Sequence, residues 1–139
     1  MPDNWPEFQK WCAALCAWRE ARGEYHATNG DGIRAIIHVI NNRAKLKKVS
    51  WTEIVYAKWQ FSSMSADNDP QLTRVPSPPI DDAMIFTYCY RVADLVWNNQ
   101  DSDVTNGATH YFNPSVVLPV WAKDMVKVAS IGHHDFYRV

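Results

Sequence analysis

The carboxylate of Glu20 stands at the end of an apolar row and is the first candidate for chemistry in this sequence. Phe8, Cys12 and Cys16 precede it at four-residue spacing, so one face of a predicted helix ends on an acid. A carboxylate that loses hydration beside apolar side chains holds its proton more firmly, and a general acid near neutral pH needs this property. The alternative is a solvated surface ion pair between Glu20 and a neighbouring arginine.

Helices are predicted to position this acid. An early Pro6 and a stop at Gly23 favour a first helix over about residues 5–23. Caps and apolar stripes predict further helices, one from a turn and cap at residues 28–32 to about residue 47 and others over 50–57, 81–98 and 121–128. The second is marked by the stripe Ile33, Ile36, Ile37 and Ile40. In the helix over 81–98 we expect an inward-facing set: Met84, Ile85, Tyr88, Val92, Leu95 and Val96.

The rest of the chain is less regular. Residues 103–114 are predicted to be extended or turning, and residues 129–139 to form a strand-like end interrupted by Gly132. Residues 63–79 contain four Pro and little periodicity. We expect this long segment to be mobile or to form one wall of a groove, because irregular loops of this length are usually functional.

Composition limits the class of protein. A chain of 139 residues suits one domain, and 47% hydrophobic residues with seven Trp exclude general disorder. We expect some of these Trp to line a groove. The formal net charge is −1 and there is no long Lys/Arg cluster, so neither nucleic acid nor an anionic membrane is an expected partner. The pattern favours a neutral or mildly polar substrate.

The cysteines and the N-terminus indicate a compartment. Cys12, Cys16 and Cys89 are an odd set, and the first two lie one helical turn apart, so we expect three buried free thiols. The first residues resemble no signal peptide, and no apolar run is long enough for a membrane span. We therefore expect synthesis in a cytoplasm. We also expect no cofactor.

Five strings occur in order along nearly the whole chain. They are WREARGE at residues 18–24, VINNR at 39–43, QFS at 60–62, GATHYFNP at 107–114 and IGHHDFY at 131–137. Each string is weak alone, but their common order makes chance a poor explanation. Together they resemble the SleB-type cell-wall hydrolase family, known from spore-cortex-lytic enzymes and phage lysis proteins.

The resemblance implies a fold and an activity. The implied fold is α+β, mainly α: a lysozyme-like single domain with a long helix, a substrate groove and a small extended C-terminal part. The implied activity is cleavage of peptidoglycan glycan strands between N-acetylmuramic acid and N-acetylglucosamine by a lytic transglycosylase. A phage role is implied, in which a monomer made in the host cytoplasm reaches the periplasm or cell wall through a holin, a virion particle or cell lysis.

The resemblance also assigns residues. Glu20 matches the family's catalytic glutamate, and Ala21 follows it as the SleB pattern expects. The implied substrate-binding residues are Glu24, Gln60, Phe61, Ser62, His110, Tyr111 and Asn113. We expect Tyr111 and Asn113 to face Glu20 across the cleft, because polar groups position a sugar only when they face the acid.

Two enzymatic alternatives stay open. Glycoside cleavage usually needs two carboxylates, and on a continuing helix Glu24 would share the face of Glu20, which would give a hydrolytic muramidase. His110, His133 and His134 with Asp135 or Glu20 could instead form the zinc site of a peptidoglycan amidase or peptidase. The spacing disfavours zinc, because neighbouring histidines on an extended chain point to opposite sides.

A non-catalytic glycan-binding or virion structural domain is the remaining alternative. Trp51, Trp59 and Trp121 could stack on sugars, although core or rim positions suit each of them better. The intact Glu20 favours an enzyme over a binding domain.

Overall fold

Four helices and a three-stranded sheet form the part of the chain that this computed structural model describes, residues 5–62 and 80–139, with side chains for 5–58 and 82–139. The helices are α1 (Pro6–Ala21), α2 (Asp31–Lys47), α3 (Trp51–Ser62) and α4 (Ile80–Trp97). The strands are β1 (His110–Phe112), β2 (Val126–Ile131) and β3 (His134–Arg138), and short 3-10 helices cover Arg22–Glu24 and Val120–Asp124. The predicted class, α+β and mainly helical, is confirmed.

Helix α1 packs against the other three helices and forms the centre of the hydrophobic core. Pro6 lies in its first turn, where the missing N–H removes no intrahelical hydrogen bond. Ala13, Ala14 and Ala17 are fully buried, and their small side chains let neighbouring helices approach from several sides. The α-helix ends at Ala21, and the next three residues tighten into a 3-10 helix. This places Glu20 at the end of a buried helix.

The other helices agree with their predicted patterns, with two corrections. The isoleucine stripe of α2 is buried, and the Ser50 hydroxyl accepts a hydrogen bond from the Glu53 N–H at 3.1 Å, so the predicted cap of α3 is confirmed. However, α3 continues to Ser62 rather than ending near residue 57. The inward orientation of Met84 is also wrong. It is 62% exposed, because it lies about 100° around α4 from the buried Ile85.

The sheet has the order β1-β3-β2 and is antiparallel throughout. Tyr111 of β1 pairs with Phe136 of β3, and a register shift interrupts β2 between Lys127 and Ala129. The helix predicted over residues 121–128 is wrong, since Val126 already belongs to β2. Its last residues include Val126 and Val128, which favour a strand, and Val126 and Lys127 pair with β3. Helical periodicity alone does not take account of this pairing.

Three further predictions concern the whole chain. The cysteines are free and buried as predicted, and burial raises the pKa of Cys16 to about 12, so this thiol is inert near neutral pH. No helix in the described part of the chain combines the length and apolarity that a bilayer crossing requires. Residues 63–79, for which we expect a mobile or groove-lining segment, lie outside the described residues.

Candidate active site

Glu20 projects from the last turn of α1 and meets a cation from α3. Its Oε1 lies 3.4 Å from the Nζ of Lys58, and the two side chains are 28% and 27% exposed. The pair therefore lies at the edge of the core, partly shielded from water but open to a ligand. The carboxylate that the apolar row predicted to turn inward reaches an accessible rim instead of the interior.

Lys58 continues the buried face of α3. Trp51, Ile54 and Val55 of that face are buried, and Lys58 follows them at helical spacing. Its ammonium lies 4.7 Å from the centre of the Tyr111 ring. Burial works against its charge, but Tyr111 and Glu20 outweigh that effect and raise the pKa of Lys58 above its ordinary value. The ammonium therefore stays charged beside Glu20 at any working pH.

Tyr111 brings the sheet to this site. Its ring packs on Phe136, with centroids 5.7 Å apart, and meets the ring of His134 edge-on at 5.3 Å. Burial raises the pKa of Tyr111, and the charge of Glu20 acts in the same direction, so the phenol stays neutral. The buried hydroxyl interacts with the Lys58 side chain, which opposes part of this rise in pKa. Tyr111 therefore joins the sheet to Lys58.

Glu24 lies close in sequence but in a different environment. It is only 8% exposed, and its Oε1 accepts a hydrogen bond from the His133 N–H at 2.6 Å. Its Oε2 lies 3.5 Å from the Nδ1 of His134. Glu24 therefore contacts the turn between β2 and β3 rather than an open cleft.

A polar network on α2 fixes the segment that leads into β1. Asp103 accepts hydrogen bonds from the N–H and hydroxyl of Thr105, from the Gly107 N–H and from the Asn42 side chain. These hydrogen bonds outweigh the opposing effect of burial and lower the pKa of Asp103. Asn42 also donates to the Ala108 carbonyl at 2.9 Å. The strand carrying Tyr111 is thus tied to a helix immediately before it begins.

The sequence profile of the cell wall hydrolase family matches residues 28–137, most of the chain. The chain belongs to the cell wall hydrolase family. Membership indicates an enzyme that cleaves peptidoglycan. The match includes Lys58, Tyr111 and His134, whereas Glu20 and Glu24 precede its first residue. Separate searches of curated proteins and of solved structures found no match.

In this cell wall hydrolase the sheet separates two of the predicted site residues. His110 precedes Tyr111 on β1 and points to the opposite face, where its ring lies 5.0 Å from that of Trp121. Burial lowers the pKa of His110, with Arg43 and Lys47 acting in the same direction. The structure therefore brings Tyr111 to Glu20 and takes His110 away from it.

The remaining predicted substrate-binding residues are Asn113, whose contacts are described, and three residues of α3, whose side chains are not. The Oδ1 of Asn113 accepts hydrogen bonds from the N–H and hydroxyl of Ser115, so this oxygen is already used in a turn after β1. Gln60, Phe61 and Ser62 are the last three residues of α3, two to four positions after Lys58, and their side chains lie outside the described residues.

Among the described residues, neither a metal-ligand cluster nor Trp51 or Trp121 lies at this site. No group of three His, Cys, Asp or Glu side chains in the described residues could hold a metal ion. Trp51 is buried against Trp97, with ring centroids 5.0 Å apart, and is a core residue. Trp121 covers the outer face of the sheet, and the side chain of Trp59 lies outside the described residues.

Lys58 is the site residue that the sequence interpretation missed. The available signal was a lysine within an apolar helical stripe, three residues after Val55 and four after Ile54. Lysine in such a position is rarely buried without a partner. Its partners come from α1 and β1, which no local pattern connects to α3.

Proposed function

We propose that the chain is a peptidoglycan lytic transglycosylase that cuts the glycan strand between N-acetylmuramic acid and N-acetylglucosamine, with Glu20 as its one catalytic carboxylate. The observation that carries the proposal is the contrast between two acids. Glu20 is partly exposed and pairs with Lys58, whose ammonium lies over the ring of Tyr111, whereas Glu24 is buried and bound to a backbone N–H. Cleavage with a single carboxylate requires the substrate to supply its own nucleophiles.

In the first step Glu20 acts as a general acid. Its carboxylic proton moves to the glycosidic oxygen, and the bond between that oxygen and C1 of the muramic sugar breaks. The carbonyl oxygen of the sugar's 2-acetamido group forms a new bond to C1 from the opposite face. The N-acetylglucosamine leaves with a free hydroxyl, and Glu20 becomes a carboxylate.

In the second step the same carboxylate acts as a base. It takes the proton from the 6-hydroxyl of the muramic sugar, whose oxygen attacks C1 and displaces the acetamido oxygen. The product carries a 1,6-anhydromuramic end, and Glu20 is protonated again for the next cycle. No water enters the products, so no second carboxylate is needed to activate one.

Lys58 stabilises the charge that Glu20 acquires, and in the free protein it pairs with the same carboxylate, so Glu20 must take up its proton before each cut. The negative charge develops as the proton leaves, and an ammonium already held at 3.4 Å needs no reorganisation to meet it. Tyr111 contributes its ring, which lies 4.7 Å from the Lys58 ammonium and helps to hold that cation beside Glu20. We assign substrate contacts by family resemblance to Gln60, Phe61, Ser62 and Asn113.

The biological setting follows from the same resemblance. We propose a role in phage lysis or entry, with the enzyme acting as a monomer on peptidoglycan after a holin, a virion particle or cell lysis gives access.

Digestion of purified peptidoglycan sacculi tests the class of bond that is cut. We expect soluble muropeptides to form without any increase in free amino groups, because glycan cleavage leaves the peptide and amide bonds intact. Chelator-treated enzyme is the matched arm, and it should release the same products at the same rate. New amino groups, or loss of activity on chelation that zinc restores, would instead identify an amidase or peptidase.

A further inference from the structure

The carboxylate of Glu24 occupies a slot formed by two glycines from distant parts of the chain. A Cβ added at Gly132, between β2 and β3, would lie 2.8 Å from the Glu24 carboxyl carbon. A Cβ added at Gly32, in the first turn of α2, would lie 3.1 Å from the Glu24 Oε2. Gly132 also has a φ of +60°, which L side chains rarely adopt. The carboxylate fits here because neither glycine carries a side chain.

Hydrogen bonds hold Glu24 to both sides of this slot. The His133 N–H donates to its Oε1, a contact that joins residues 109 positions apart. The Thr28 hydroxyl donates to the Glu24 carbonyl oxygen at 2.9 Å and accepts from the Gly32 N–H at 3.0 Å. Glu24 therefore connects the start of α2 to the turn between β2 and β3.

This connection ends at the proposed active site. His134 follows the turn directly, and its ring meets the Tyr111 ring edge-on at 5.3 Å and 82°. Tyr111 in turn contacts Lys58, the ion-pair partner of Glu20. A displacement of the turn would move His134, and with it the ring that packs against Tyr111.

We propose that Glu24 is a positioning residue that locks the turn between β2 and β3, and so fixes His134 and Tyr111 beside Glu20, rather than a second catalytic carboxylate. The proposal rests on the assignment of Glu20 as the catalytic acid. Gln at position 24 can still accept a hydrogen bond from the His133 N–H, whereas Ala cannot. A catalytic base needs the charge, but a positioning residue needs only the acceptor.

The experiment compares Glu24→Gln and Glu24→Ala on purified peptidoglycan, with Glu53→Gln on the exposed start of α3 as the matched control. For each variant, kcat, KM, the product ends and hydrogen exchange at the His133 amide are measured. We expect Glu24→Gln to lower kcat by about three- to tenfold and Glu24→Ala by about a hundredfold, since misplacement of about 1 Å has effects of this size. The His133 amide should stay protected in the Gln variant and exchange rapidly in the Ala variant.

Two outcomes of the activity measurements on the Glu24 variants would overturn the proposal. One is a folded Glu24→Gln variant with a protected His133 amide that is as inactive as Glu20→Gln, because Glu24 would then act through its charge. The other is near wild-type activity in Glu24→Ala. If Glu24→Ala does not fold, His134→Ala replaces it. This variant keeps the Glu24 bond to the His133 backbone, so kcat should fall while the amide stays protected, and an unchanged kcat would contradict the proposed route.

The amide measurement also separates this proposal from the proposed function. If Glu20→Gln keeps its activity, the assignment of the catalytic acid fails. The loss of His133 protection in Glu24→Ala would still show that Glu24 locks the turn, and retained protection would show that it does not.

Discussion

The regions around Glu20 and Glu24 contain the same functional group in opposite settings. Glu20, on the last turn of α1, is about a quarter exposed and faces Lys58. Glu24, at the end of the following 3-10 helix, is enclosed by two glycines and a backbone N–H. Four-residue spacing would place both on one helical face, but the α-helix ends at Ala21. The surroundings, rather than the residue type, therefore distinguish the proposed catalytic acid from the acid proposed to hold a turn.

Removal of the carboxylic proton donor should produce the largest effect. Glu20→Gln keeps the side-chain volume but cannot donate a carboxylic proton, so we expect kcat to fall by about a thousandfold. Stability should change by less than about 1 kcal/mol, because the ion pair with Lys58 is partly exposed. Muropeptide release and thermal unfolding measure the two quantities, with Glu53→Gln as the control. Near wild-type release would remove Glu20 from the mechanism.

A substitution in the slot around Glu24 should lower the free energy of unfolding. Gly132→Ala introduces a Cβ into the Glu24 carboxylate and places Ala at φ +60°, so we expect a loss of about 2–3 kcal/mol. Gly23→Ala is the matched control, since a Cβ there meets nothing within 4 Å. Denaturant unfolding of both variants checks the difference. Equal stabilities would mean that the slot is not closed in solution.

Loss of the Lys58 charge should lower the activity of the proposed site around Glu20. In Lys58→Met the carboxylate formed after proton donation has no cation beside it, and we expect kcat to fall by about tenfold. Lys58→Arg keeps a positive charge within reach of Glu20 and should recover part of the loss. A Met variant as active as the Arg variant would show that Lys58 contributes by packing rather than by charge.

The smallest expected effect is a pH dependence of the free energy of unfolding. It arises at His110, on the outer face of the sheet. The folded pKa of His110 lies below its ordinary value of 6.5, chiefly through burial. Between these two pKa values the unfolded chain binds more protons, so stability falls as the pH drops from about 6.5 through the folded pKa. His110→Gln cannot titrate and should lose less stability than the wild type over this interval. Melting temperatures at a series of pH values measure it, and identical slopes would contradict the prediction.

Local patterns predicted much of the scaffold. The isoleucine stripe of α2 and the Ser50 cap of α3 are properties of neighbouring residues, and both are confirmed. The apolar row that ends at Glu20 also identified the candidate acid, whose role stays a prediction. The helix expected over residues 121–128 is wrong because pairing with β3 decides that segment, and pairing is a tertiary property.

The candidate site was less accessible to sequence reasoning. Lys58 reaches Glu20 and Tyr111 only after α1, α3 and β1 have packed together, and Glu24 meets Gly132 across more than a hundred residues. His110 and Tyr111 stand together in one sequence string but point to opposite faces, because side chains alternate along a strand. The resemblance alone could not make that distinction.

The mass spectrum of peptidoglycan digested by the wild-type enzyme tests the central claim most directly. With Glu20 as the one catalytic carboxylate and no activated water, every cut glycan chain should carry a 1,6-anhydromuramic end, one water lighter than the reducing sugar. Digestion in water enriched in the heavy oxygen isotope should leave these ends unlabelled. Reducing muramic ends that contain the heavy isotope would contradict the account, because a hydrolytic muramidase must place a second group where it can activate water.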